Sequence, residues 1–90
     1  MGVSILMTPG PIGRNRGKQV DITPGWRSEA AARIRDEFGN PPLTLTTDDI
    51  GKLDLMGAGA SVYTRNEENI WRLISAAIAE HGAVTIVCEY

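Results

Sequence analysis

The fold is decided by residues 64–90, TRNEENIWRLISAAIAEHGAVTIVCEY, which carry a helix pattern followed directly by a strand pattern. These two elements determine how the rest of the chain is placed. From Ile70 onwards, apolar residues recur at positions i, i+3, i+4, i+7 and i+8, which is the spacing of one face of an α-helix. We therefore expect this face to pack on a core. Its members are Ile70, Leu73, Ile74, Ala77, Ile78 and His81.

Both ends of this helix have sequence signals. Thr64 and Glu67 have the spacing of a capping box, and Asn66 is an alternative N-cap. Gly82 can adopt the left-handed conformation that ends a helix. Residues 83–90 are rich in β-branched side chains and contain no glycine or proline, which predicts a strand. Its apolar face, which we expect the helices to cover, comprises Val84, Ile86, Cys88 and Tyr90.

The N-terminal half supplies further strands and a helix. Residues 3–7 form a short apolar run that ends at a proline-rich turn, and residues 18–22 alternate polar with apolar side chains, so both predict strands. Thr23 and Pro24 suit the N-cap and first position of a helix that is predicted to end near Phe38.

The middle of the chain completes the expected fold. Residues 43–46 predict a short strand, and Thr46 or Thr47 can cap a following helix that buries Ile50 and Leu53. The sequence therefore predicts an α+β fold of order β-β-α-β-α-α-β. A small sheet of three to four strands would have two to three helices packed on one face. We expect residues 1–90 to form a single globular domain.

Charge is distributed unevenly along the chain. The formal net charge of the 90 residues is −2, but residues 1–18 contain three cations and no acid, so residues 19–90 carry −5. The three cations, Arg14, Arg16 and Lys18, lie in a segment rich in glycine and proline that we call the basic loop, residues 9–18. An acidic body argues against a general binder of nucleic acid or of anionic membranes.

The basic loop has two interpretations. It is not a phosphate-binding P-loop, because Ile12 and Gln19 stand where that motif needs glycine and Ser or Thr. It is either an ordinary solvated hairpin loop or a contact surface, in which Arg14, Arg16 and Lys18 meet an acidic protein or nucleic-acid phosphates. The sequence alone leaves both open.

Residues that could carry chemistry are isolated. His81 is the only histidine, and at the end of a helix its charged form is favoured by the helix dipole. Cys88 is the only cysteine and lies in a predicted strand, as a buried apolar residue would. The paired carboxylates of Asp48 and Asp49 are explained by the start of a helix. We therefore expect no catalytic residues, no cofactor and no metal site.

Trp71 lies beside the apolar face of the C-terminal helix. It either widens that face against another element or stands partly exposed as a contact residue, since aromatic side chains contribute strongly both to cores and to interfaces.

The sequence favours a small non-enzymatic binding protein that acts by protein–protein contact, as an adaptor or inhibitor of a larger assembly. Its partner-binding residues would be Arg14, Arg16, Lys18 and Trp71. The alternative is a nucleic-acid-binding accessory protein that uses residues 14–18, and a third hypothesis is an enzyme subunit whose site is completed by a partner.

We expect a cytoplasmic protein that does not bind membranes, because the chain has a single cysteine and no apolar run long enough to span a bilayer. We also expect that a chain with a sheet this small can form a homodimer.

Overall fold

The structure is a computed structural model that describes residues 2–58 and 69–90. These residues form an α+β fold in which three α-helices accompany a four-stranded antiparallel sheet, as expected from the sequence. The strands are β1 (Ser4–Pro9), β2 (Val20–Asp21), β3 (Leu43–Thr46) and β4 (Ala83–Glu89), and the helices are α1 (Arg27–Phe38), α2 (Ile50–Ala58) and α3 (Ile70–His81). None of these helices is long and apolar enough to cross a bilayer.

The C-terminal strand lies inside the sheet, whose strand order is β2-β1-β4-β3. β4 pairs with β1 from Ser4↔Glu89 to Pro9↔Val84, and with β3 from Leu43↔Ile86 to Thr46↔Ala83. Because residues directly opposite each other point to the same face, the register places the large apolar side chains of three strands together. The buried members of this face are Ile5, Met7, Leu45, Val84 and Ile86.

Helix α3 ends where the sequence predicts. Gly82 has φ 85° in the left-handed region, and its N–H donates to the carbonyl of Ile78 over 2.7 Å. The predicted capping box of Thr64 and Glu67 lies outside the described residues, and Asn69 precedes the first helical residue without a side-chain capping bond.

The buried side of α3 is rotated relative to the expected one. Ile74 is fully buried, but Ser75 is also buried while Leu73 is exposed, so the placement of Leu73 in the core was wrong. The cause is α2, which packs along the Ser75 side of α3. There the Ser75 hydroxyl donates to Asp54 Oδ1 over 2.9 Å. Gly57 of α2 allows close approach, because a Cβ at this position would lie 3.0 Å from the Arg72 side chain.

The predicted helix caps have opposite outcomes. Thr46 caps a single 3₁₀ turn that leads into α2: its N–H donates to Asp49 Oδ2 over 2.8 Å, and its hydroxyl accepts from the N–H of Asp48. Thr23 is not a cap, since α1 begins only at Arg27. Its hydroxyl instead accepts the N–H of Ile5 over 2.8 Å, which extends the pairing of β1 beyond the end of β2.

Candidate functional site

The basic loop does not extend into solvent as the tip of a hairpin. The chain leaves β1 at Pro9, and the N–H of Gly10 donates to the carbonyl of Ala83 in β4 over 2.8 Å. The N–H of Ile12 then reaches β3, where it donates to the Thr44 hydroxyl over 3.1 Å. The chain returns to β1, since the N–H of Arg16 donates to the carbonyl of Pro9 over 2.7 Å. The basic loop therefore crosses three strands on the face opposite the helices, which we call the outer face.

Two threonines of a row of three hold the loop on the outer face. Thr8, Thr85 and Thr44 lie directly opposite one another on β1, β4 and β3. The Thr85 hydroxyl donates to the carbonyl of Gly10 over 2.9 Å and accepts from Asn15 Nδ2 over 3.2 Å. Thr8 and Thr85 are both buried. Hydroxyl groups on this row thus replace part of the backbone pairing that a regular hairpin would supply.

Gly10 is required by the path of the loop. Its φ is 94°, a conformation that side chains other than glycine rarely adopt. A Cβ at this position would lie 2.5 Å from the carbonyl oxygen of Arg14 and 2.9 Å from the nitrogen of Arg16. The loop closes over Gly10 so tightly that any larger residue would push it away from the sheet.

The three cations of the basic loop are all exposed. Among the described residues, no carboxylate forms a salt bridge with Arg14, Arg16 or Lys18. The loop therefore presents three solvated positive charges within five residues, on a backbone attached to the sheet at both ends. Guanidinium and ammonium groups in this arrangement can bind carboxylates or phosphates.

Trp71, the fourth residue expected to contact a partner, is a core residue. It is 3% exposed and its ring meets that of Trp26 edge to face, with ring centroids 5.8 Å apart and an interplanar angle of 61°. The rotation of α3 toward α2 turns Trp71 inward. We therefore exclude Trp71 from the candidate contact surface.

His81 and Cys88 have different surroundings. His81 Nε2 lies 3.8 Å from Glu80 Oε2, the neighbouring side chain at the end of α3. Burial raises the pKa of the Cys88 thiol, and the positive charge of Arg35 opposes this effect only in part. In the part of the chain that the structure describes, no three His, Cys, Asp or Glu side chains are grouped as metal ligands would be.

A concave feature lies at the end of the sheet far from the basic loop, between α1 and the residues that flank β1 and β4. This cavity of about 190 Å³ is open to solvent on one side. Its lining residues are Gly2, Val3, Ser28, Ala31, Arg35 and Tyr90. Arg35 is the one cationic residue in this lining, and the cavity is separate from the basic loop.

The residues that position the candidate surface were not identified from the sequence. Asn15, Thr44 and Thr85 look like ordinary loop and strand residues, and 70 positions separate Asn15 from Thr85. The one local signal was Gly10 within a cluster of glycine and proline, which marks a turn but does not show where the turn packs. Comparisons of this chain with protein-family models, with curated proteins and with solved structures gave no match.

Proposed function

We propose that this chain is a non-enzymatic binding protein, an adaptor or inhibitor of a larger assembly, that contacts an acidic protein partner through the basic loop. The observation that carries the proposal is the attachment of the loop to the sheet, with Arg14, Arg16 and Lys18 exposed. A loop that is ordered before binding loses less conformational entropy in the complex. Its cations are therefore available to a partner without prior rearrangement.

Charge distribution supports an oriented contact. The basic loop belongs to the N-terminal 18 residues, which carry three cations and no acid, whereas the remaining residues carry −5. An acidic partner is attracted by the loop and repelled by the rest of the surface. Such an arrangement favours one docking orientation and accelerates association at low salt.

Nucleic acid is the second candidate partner, because the same three exposed cations can contact phosphates. Three cations on an otherwise acidic protein can contact only a few phosphates. The logarithm of the binding constant would fall linearly with the logarithm of the salt concentration, with a slope of about two to three. Such binding would be non-specific in sequence, since contacts to phosphates carry no direct sequence information.

A cytoplasmic location fits this proposal. Cys88 is the only cysteine, so the chain has no internal disulfide, as is usual for proteins of a reducing compartment.

A comparative pull-down tests the proposed function. The wild-type protein, a variant with Arg14, Arg16 and Lys18 all replaced by alanine, and the control Arg33→Ala are immobilised and exposed to a lysate of the source organism. Arg33 is an exposed cation of α1, away from the loop. We expect an acidic protein to be retained by the wild type and the control and lost with the triple variant. Retention of every partner by the triple variant would contradict the proposal.

A titration with labelled single-stranded and double-stranded nucleic acid separates the two candidates. We expect no change in fluorescence anisotropy at low salt with the wild-type protein. If the wild-type protein binds with a salt slope of about two to three and the triple variant does not bind, the partner would be nucleic acid and not an acidic protein.

A further inference from the structure

The cavity between α1 and the end of the sheet lies on the side of the sheet that the helices cover, opposite the basic loop. Val3 lies at its floor and is buried, as Ile5 of β1 is. Helix α1 contributes three lining residues at positions i, i+3 and i+7, which share one face of a helix. They are Ser28, Ala31 and Arg35. The cavity exists because α1 meets the sheet here through small residues, since Ala31 has only a methyl group and Gly2 has no side chain.

The lining combines an apolar floor with one positive charge. Val3 and Ala31 are 5% and 3% exposed, whereas Arg35 is exposed on the rim. Among residues 2–58 and 69–90, no carboxylate forms a salt bridge with Arg35, and none of the lining residues is acidic. Burial raises the pKa of the Cys88 thiol and the charge of Arg35 opposes this effect, so the guanidinium acts at the end of β4 that borders the cavity.

We propose that this cavity binds a small organic acid, with its carboxylate on the Arg35 guanidinium and its apolar part on Val3 and Ala31. A guanidinium donates two parallel hydrogen bonds to the two oxygens of a carboxylate. The Ser28 hydroxyl, on the same face of α1, can donate a further one. The volume of about 190 Å³ is below the roughly 300–1,000 Å³ of pockets for drug-sized ligands, so the ligand is a smaller molecule.

A monocarboxylate suits the cavity better than a phosphate. A phosphate offers at least three acceptor oxygens and up to two charges, and it requires several donors. The nearest further cation is Arg27, since a Cβ at Gly2 would lie 3.0 Å from Arg27 Nη1. Hydrogen bonds from Thr23 and, to a smaller extent, the charge of Arg27 lower the pKa of Asp21, so Arg27 already interacts with a carboxylate. A ligand therefore meets the single charge of Arg35, which one carboxylate neutralises.

Titration of the isotope-labelled full chain with benzoate, followed by NMR, tests the proposal. Benzamide is the matched neutral compound, because it has nearly the same shape and no charge. We expect the amide signals of Val3, Ser28 and Ala31 to shift and to saturate with a Kd for benzoate on the order of 1 mM. Benzamide should bind at least about tenfold more weakly, because it cannot accept charge-assisted hydrogen bonds at a carboxylate.

A pair of variants identifies the residue that binds the carboxylate. Arg35→Gln removes the charge from the rim and should weaken benzoate binding by about tenfold or more. The control Arg33→Gln removes the same charge from an exposed position of α1 that is not in the lining, and it should bind benzoate like the wild type. Both side chains are exposed, so we expect the spectra of the free variants to retain the dispersion of the folded protein.

Four results would overturn the proposal. The first is the lack of saturable shifts with benzoate up to about 20 mM. The second is equal affinity for benzamide, which would show an apolar depression that does not recognise the carboxylate. The third is equal weakening by Arg33→Gln and Arg35→Gln, since net charge would then control binding. The fourth is a set of shifts confined to residues 14–18, where other cations are exposed. Because the cavity and the basic loop lie on opposite sides of the sheet, none of these results bears on the acidic protein partner.

Discussion

Thr85→Val tests whether the threonine row holds the basic loop in place. The Thr85 hydroxyl is buried, donates to the carbonyl of Gly10 over 2.9 Å and accepts from Asn15 Nδ2 over 3.2 Å. Valine has nearly the same shape and suits a strand, but it can make neither bond. Each hydrogen bond contributes about 0.5–1.5 kcal/mol, so loss of both should lower the free energy of unfolding by about 1–3 kcal/mol.

Urea denaturation of the wild type, Thr85→Val and the control Thr47→Val measures this difference. Thr47 is exposed at the start of the 3₁₀ turn, so its substitution should shift the midpoint little. Thr85→Val should also weaken retention of an acidic partner, although all three cations remain, because the loop would have to be ordered during binding. Equal midpoints for the two variants would refute the idea that Thr85 anchors the loop.

Three further predictions test other parts of the structure. Ile74→Ala should cost about 2–5 kcal/mol of unfolding free energy because the side chain is fully buried, whereas Leu73→Ala on the exposed side should cost much less; similar midpoints in urea would contradict the rotation of α3. Gly10→Ala should lower stability by at least about 1–2 kcal/mol, since φ is 94° and a Cβ would lie 2.5 Å from a carbonyl oxygen of the loop. Hydrogen bonds from Thr23 lower the pKa of the Asp21 carboxyl group in the folded protein. The stability that this carboxylate contributes is therefore present above the pKa that Asp21 has in the unfolded chain, and it is lost as the pH falls through its lower pKa in the folded protein. Urea midpoints measured across the acid range should therefore fall less steeply for Asp21→Asn than for the wild type, and identical slopes would rule out this contribution.

The elements with local signals were predictable from the sequence. β4 follows from an uninterrupted β-branched run, the end of α3 follows from Gly82, and the turn before α2 follows from Thr46 with Asp49. In each case the residues that determine the structure lie within a few positions of one another. The apolar face of β4 was predicted to be covered by helices. Val84 and Ile86 are buried as expected, whereas Cys88 is half-buried and Tyr90, which follows the end of the strand, is 74% exposed, so its placement in the covered face was wrong.

The candidate surface was not predictable in the same way. The position of the basic loop depends on Thr44 and Thr85 being neighbours on β3 and β4, which only the strand register determines. The sequence left open whether Trp71 is buried or exposed, for a related reason. Periodicity gives the apolar side of a helix to within about one residue, and the packing of α2 against Ser75 decides on which side of that stripe the core lies.

Amide hydrogen exchange of the free protein tests most directly whether the cations are displayed from a loop fixed to the sheet. The N–H of Gly10 donates to Ala83 over 2.8 Å and that of Arg16 donates to Pro9 over 2.7 Å. Amides held in such bonds exchange only when the structure opens. We predict that both amides exchange far more slowly than those of an unstructured chain. Exchange of Gly10 and Arg16 at the rate of an unprotected peptide would show a solvated loop, and would contradict a contact surface that is ordered before its partner binds.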